Sequence, residues 1–175
     1  MQMKKMWAPL LALSFLTGTA QAAPEDSGKI TFTGAITASP CSIAPDSTDI
    51  NVPMGVVTAS VLKQGGQATP VPFNINLLDC QADSTVTVKF TGTADGTDGT
   101  LLGLQGGHAA GAGIALLSDN NTQIPLGEDS SDIQINSGNN SIRLQAALKG
   151  NSTEAAHVVT PGEFTSLATF TLAYN

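Results

Sequence analysis

Charge is sparse in this 175-residue chain, and positive charge most of all: seven Lys and Arg stand against fourteen Asp and Glu. A surface of that sign repels phosphate backbones and anionic lipid, which argues against nucleic acid and membrane surfaces as partners. Histidine occurs only at His108 and His157, and cysteine only at Cys41 and Cys80. A zinc set would need all four, scattered through loops, so no metal and no cofactor is expected. Neither histidine lies in a Gly-x-Ser-x-Gly nucleophile elbow. The adjacent acids Glu128 and Asp129 read as solvated loop carboxylates rather than a glycosidase pair. No catalytic residue is assigned, and the chain is not expected to be an enzyme. No apolar run approaches the roughly twenty residues that a membrane helix needs.

What is present begins with a leader. Lys4 and Lys5 give a positive start, Leu10 to Leu16 an apolar core, and Ala20-Gln21-Ala22 a cleavage site, so residues 1–22 read as a secretory signal peptide. Without it, five basic residues face fourteen acids, a balance of about −9 spread over the surface. About 153 residues remain, enough for one domain with its own core. Export to an oxidising compartment makes a Cys41–Cys80 disulfide the economical assignment, with a free thiol as the weaker reading. Closing a loop of about forty residues is worth about 4 kcal/mol in the chain-entropy picture.

The rest of the chain reads as short alternating strands. Phe73 to Leu77 is apolar at odd positions and runs to Cys80, and Val86 to Phe90 is its expected partner across a turn at Gln81–Ser84. Ile114–Leu117 and Ile124–Leu126 flank an Asn-containing turn and read as a hairpin, with Pro125 marking an edge. Ile133–Ile135 and Ile142–Leu148 repeat that plan about Gly138-Asn139-Asn140. Ser42 to Thr69 reads as short strands and turns, with apolar pieces at Ile43, Ile50-Asn51-Val52 and Val56-Val57 and a helical turn near Ala59–Lys63. Gly92 to Gly113 is glycine-rich but lacks a Gly-Lys-Ser/Thr ending, so a mobile surface loop is expected rather than a phosphate cradle. No long amphipathic helix is visible, and the fold class is all-β.

Two stretches remain, at either end. Gly28, Ile30, Phe32, Gly34 and Ile36 share one parity, with Lys29, Thr31 and Thr33 on the other. Pro161-Gly162 opens a final strand in which Ala168, Phe170, Leu172 and Tyr174 alternate with Thr169, Thr171 and Ala173. Nothing follows Asn175 to pair with that strand, so either an earlier segment lies beside it or its edge is left for another chain. The penultimate Tyr174, the alternation before it, Gly162 fourteenth from the end, the Cys41 to Cys80 spacing and the glycine-flanked start together resemble the chaperone–usher fimbrial subunits, the pilins of type 1 and P pili. One departure is Leu148, aligned where many pilins carry an aromatic residue.

The resemblance implies an incomplete immunoglobulin-like β-sandwich lacking its final strand, completed by donor-strand complementation. It divides the chain into a signal peptide (1–22), a donor-strand extension (23–34) and a pilin domain (35–175), with Gly34 to Ala38 assignable to either of the last two. Gly28, Ile30, Phe32 and Gly34 would enter a neighbour's groove; the alternative is an intramolecular first strand. Gly162, Ala168, Phe170, Leu172, Tyr174 and Asn175 would line the acceptor groove, with the Asn175 carboxylate gripped by a cation on a partner. The implied partners are a periplasmic chaperone, an outer-membrane usher and neighbouring copies in a homopolymer. The implied function is a structural subunit of an extracellular adhesive fimbria, with the rod favoured because a donor segment is present and no lectin domain is seen. The alternatives are a minor adaptor or terminator subunit and a self-contained secreted β-sandwich that binds a carbohydrate or protein ligand.

Overall fold

The computed structural model describes residues 28–34, 36, 39–81, 84–154 and 156–175. The signal peptide and the start at Ala23 to Ser27 lie outside the described residues. The chain divides into two units, Met1–Ile36 and Thr37–Asn175. In the first, Gly28 to Gly34 forms neither strand nor helix, and Ile30 and Phe32 are 78% and 89% exposed.

Among the described residues the second unit carries nine strands: β1 (Ser42–Ile43), β2 (Val71–Cys80), β3 (Ser84–Gly92), β4 (Leu102–Gly103), β5 (Ala112–Ser118), β6 (Gln123–Ile124), β7 (Ile133–Ile135), β8 (Gly138–Gly150) and β9 (Ala168–Tyr174). One sheet runs β1-β2-β8-β5-β4 with β6 added beside β5, and the other runs β7-β3-β9. All named pairs are antiparallel. The inner faces meet over Ile75, Leu77, Ile142 and Leu144 from the first sheet and Val86, Val88 and Ile135 from the second, all buried. These are the apolar positions of the alternation, facing inward as period two requires. Cys41 and Cys80 form the disulfide, with Cα atoms 4.2 Å apart.

Several local expectations change. Val86 to Phe90 does not pair with Phe73 to Leu77; β2 pairs with β8, while β3 pairs with β7 and β9. The ladder loses register between Leu77 and Cys80, and Asp79 has φ 54°, so the chain is turned out of one sheet before the next strand begins. Nor do β7 and β8 form a hairpin. Asn140 bonds both the Asn136 N–H (2.9 Å) and the Asn136 carbonyl (2.7 Å), and Gly138 has φ 92°, making this a corner between sheets. The hairpin of β5 and β6 is present, with Leu116 opposite Ile124.

The glycine-rich stretch is anchored rather than loose. It contains β4, and Leu101 is fully buried with Ala115, Leu117 and Ala147 in a small second cluster. The helical turn sits slightly later than expected, as a 3-10 turn at Lys63–Gly65. The last strand begins at Ala168, six residues after Gly162. Among the described residues no helix is long and apolar enough to cross a membrane.

Candidate strand-binding groove

β9 is an edge strand: among the described residues β3 is its one sheet neighbour, from Val86 opposite Tyr174 to Gly92 opposite Ala168. Asn175 extends that ladder, exchanging backbone bonds of 2.9 and 3.2 Å with Thr85. The side chains of β9 behave as an edge facing incomplete cover would. Ala168, Phe170, Leu172 and Tyr174 point toward the core yet are only half-buried, whereas Val86, Val88 and Phe90 on the adjoining strand are buried. Thr169, Thr171 and Ala173 are exposed.

Beside this edge lies a cleft of about 1110 Å³ between the two sheets. Phe73 from β2 and Phe90 from β3 meet across its floor, ring centroids 6.4 Å apart and planes at 69°, and Leu148 lies there too. The far wall is the extended stretch 49–57, in which Ile50, Val52 and Met54 lean on the core while Asp49, Asn51 and Pro53 are exposed. No backbone hydrogen bond joins 49–57 to another described residue. The cleft is thus bordered by two extended segments, each with a row of unsatisfied main-chain groups.

One end of the cleft is closed by a clasp. Gln105 and Thr165 exchange bonds of 3.1 and 2.7 Å, and Ala110 and Thr160 exchange bonds of 3.2 and 2.9 Å. The close approach depends on glycine, since a Cβ on Gly107 would collide with the Glu163 carbonyl and one on Gly162 would sit 2.6 Å from the Ala109 nitrogen. Gly162 therefore belongs to the clasp that ends the groove rather than to β9. Glycine enrichment from 103 to 113, expected to signal mobility, serves this contact.

The expected site residues separate accordingly. Ala168 and Phe170 line the cleft, Leu172 and Tyr174 pack on the core along the same strand, and Gly28, Ile30, Phe32 and Gly34 carry no ladder. Sequence reasoning missed Ile50, Val52, Met54, Phe73 and Phe164 as groove residues. The Ile50-x-Val52-x-Met54 alternation was available as a signal, although Pro53 and Gly55 obscure it. Phe164 has no such signal, being an isolated aromatic in a polar stretch.

The chemistry of the cleft is apolar. Among the described residues, Asp49 and Glu163 are its only charged lining residues. His108 lies in the clasp and is exposed, and Asp129 pairs with Lys89 at 3.3 Å. Among the described residues no group of three or more potential metal ligands occurs.

The family model described as fimbrial protein matches residues 30–175. The chain is 42% identical over 173 residues to the fimbria A protein of Serratia marcescens, covering 98% of this chain and 97% of that protein. It is 37% identical over 166 residues to the major MR/P fimbria protein of Proteus mirabilis, covering 94% and 93%. Among solved structures it is similar to a chain of a chaperone–usher pilus, with TM-score 0.71 and 27% identity over 89% of this chain and all of that one. It is also similar to the P pilus rod subunit PapA, with TM-score 0.66 and 26% identity over 78% of this chain and all of that one.

Proposed function

The chain belongs to the fimbrial protein family and is a structural subunit of an extracellular chaperone–usher fimbria, and from that premise we propose that its subunits join head to tail by donor-strand exchange. The observation that carries this is the half-buried inner row of β9 beside a cleft bordered by two unpaired backbone edges. In an immunoglobulin sandwich one sheet runs ABED and the other CFG. The order β1-β2-β8-β5 corresponds to the first and β3-β9 to C and F, so the vacant position beside β9 is that of G.

Residues 23–34 are the donor and 35–175 the body that accepts. Ile30 and Phe32 of an incoming extension fill the cleft, each worth roughly 1.5–3 kcal/mol on burial, and main-chain bonds add along the strand. The groove that would receive Phe32 is itself aromatic: Phe73, Phe90, Phe164 and Phe170 line it and Tyr174 packs along β9. Before assembly a periplasmic chaperone holds the groove open, and an outer-membrane usher is where the exchange takes place. Because donor and acceptor surfaces differ, the contact is heterologous and propagates as an open fibre. The rod is the favoured place in it, in line with the major and rod subunits among its relatives.

Deleting Ala23 to Thr33 tests the proposal. The truncated subunit is expected to accumulate as a chaperone-bound monomer that accepts a strand but cannot donate one. Fibres of normal length from that truncation would overturn it.

A further inference from the structure

Resting on the donor-strand reading above, we propose that Lys29 of the incoming strand and Asp49 on the acceptor form a charge pair that steers that strand into the groove. The groove has two ends, and among the described residues one acid lines it toward each, Asp49 and Glu163. Ile43 pairs with Leu77, and the Ser47 hydroxyl accepts the Asn76 N–H at 2.9 Å, which sets Asp49 two residues on at the Cys80 end. β9 finishes at that end, with Tyr174 opposite Val86 near the start of β3.

The opposite end, where β9 begins, holds Glu163 in the clasp. Of the two acids that line the groove, Asp49 is therefore the one toward the end of β9. Lys29 is the only charge between Gly28 and Ile36. A seventh strand antiparallel to β9 enters with its N-terminal side beside Tyr174, which brings Lys29 to the Asp49 end. Parity agrees: when Ile30 and Phe32 face inward, Lys29 faces the rim, where Asp49 is exposed. The reversed strand would carry Lys29 toward Glu163 instead. The pair therefore adds long-range attraction between the arriving strand and the Asp49 end of the groove.

The full chain, secreted with its assembly partners, provides the test, read as fibre formed per unit time. Lys29→Glu sets two carboxylates against each other at every junction, and Asp49→Lys sets two lysines together. Each is expected to slow assembly about three- to ten-fold at about 0.05 M salt, with a smaller defect at about 0.5 M. The double variant restores an opposite pair and should return to within about two-fold of the parent, and Glu163→Lys should cost less than about two-fold. A double variant no better than the worse single, a defect indifferent to salt, or Glu163→Lys as damaging as Asp49→Lys would overturn the assignment. Phe32→Asp separates the two levels: if it blocks fibres while the charge variants do not, only the steering pair is wrong. If Phe32→Asp assembles normally, the donor reading fails and the pair with it.

Discussion

Replacing Phe32 by alanine separates a groove that reads side chains from a surface that merely associates. In the isolated subunit Phe32 is 89% exposed and makes no strand contact, so the substitution should leave the subunit's own unfolding midpoint unchanged. On the donor-strand proposal the same ring is buried in a neighbour's cleft over Phe73 and Phe90 in the fibre. Removing it forfeits roughly 1.5–3 kcal/mol of apolar burial, which corresponds to about 10- to 150-fold in dissociation of donor from acceptor. Thr31→Ala, one residue away on the outward parity, should change dissociation by less than about two-fold. The assay is dissociation of subunit dimers in increasing guanidinium, followed by gel migration without boiling. Equal effects of Phe32→Ala and Thr31→Ala, or a loss of stability in the lone subunit from Phe32→Ala, would refute the reasoning.

Three further outcomes follow from the body of the domain. Replacing Cys41 and Cys80 by serine together should lower the stability of the strand-complemented subunit by about 4 kcal/mol, read by denaturant unfolding; a change under about 1 kcal/mol would contradict it. Gly107→Ala should destabilise by roughly 2–3 kcal/mol, because the added methyl group meets the Glu163 carbonyl and opens the clasp, whereas Gly99→Ala, with open space around it, should stay within about 0.5 kcal/mol. The Asp98 carboxyl is held below its ordinary value of 3.8, first by the Thr100 hydroxyl at 2.6 Å, with help from the Thr100 N–H at 3.0 Å and the charge of Lys149. Since the folded value is the lower one, its contribution is present above the ordinary value and is lost as pH falls through the folded one. Thr100→Val should therefore lower thermal stability above the ordinary value of 3.8 and shrink the acid-induced loss, so that parent and variant converge as pH falls below the folded value, and a stability gap that is the same at every pH would show that the hydroxyl does not act through this carboxyl.

The sequence made the strands and their inward faces legible because period-two alternation is a local property: Ile75, Leu77, Val86, Val88, Ile142 and Leu144 all face the core as the pattern requires. It did not make the partners legible. Val86 to Phe90 and Phe73 to Leu77 are neighbours in sequence and lie in different sheets, because the turn between them is a corner governed by Asp79 and by a break in register. The same failure recurs at Gly138, where the turn residues were recognised and their use was not. Glycine was read as slack between 103 and 113, yet at Gly107 it permits contact between two backbones. The final strand was legible from the alternation of Phe170, Leu172 and Tyr174, whereas the stretch 49–57 was hidden because Ile50 to Met54 alternates without any ladder to define a strand.

The claim beneath all of this is that the position beside β9 is filled by another copy of the chain. A density map of the assembled fibre, at a resolution that distinguishes side chains, tests it directly. The account predicts an antiparallel strand between β9 and residues 49–57, with Ile30 and Phe32 of the adjacent subunit directed into the cleft. An empty cleft, or one occupied by the subunit's own Gly28 to Gly34, would contradict it.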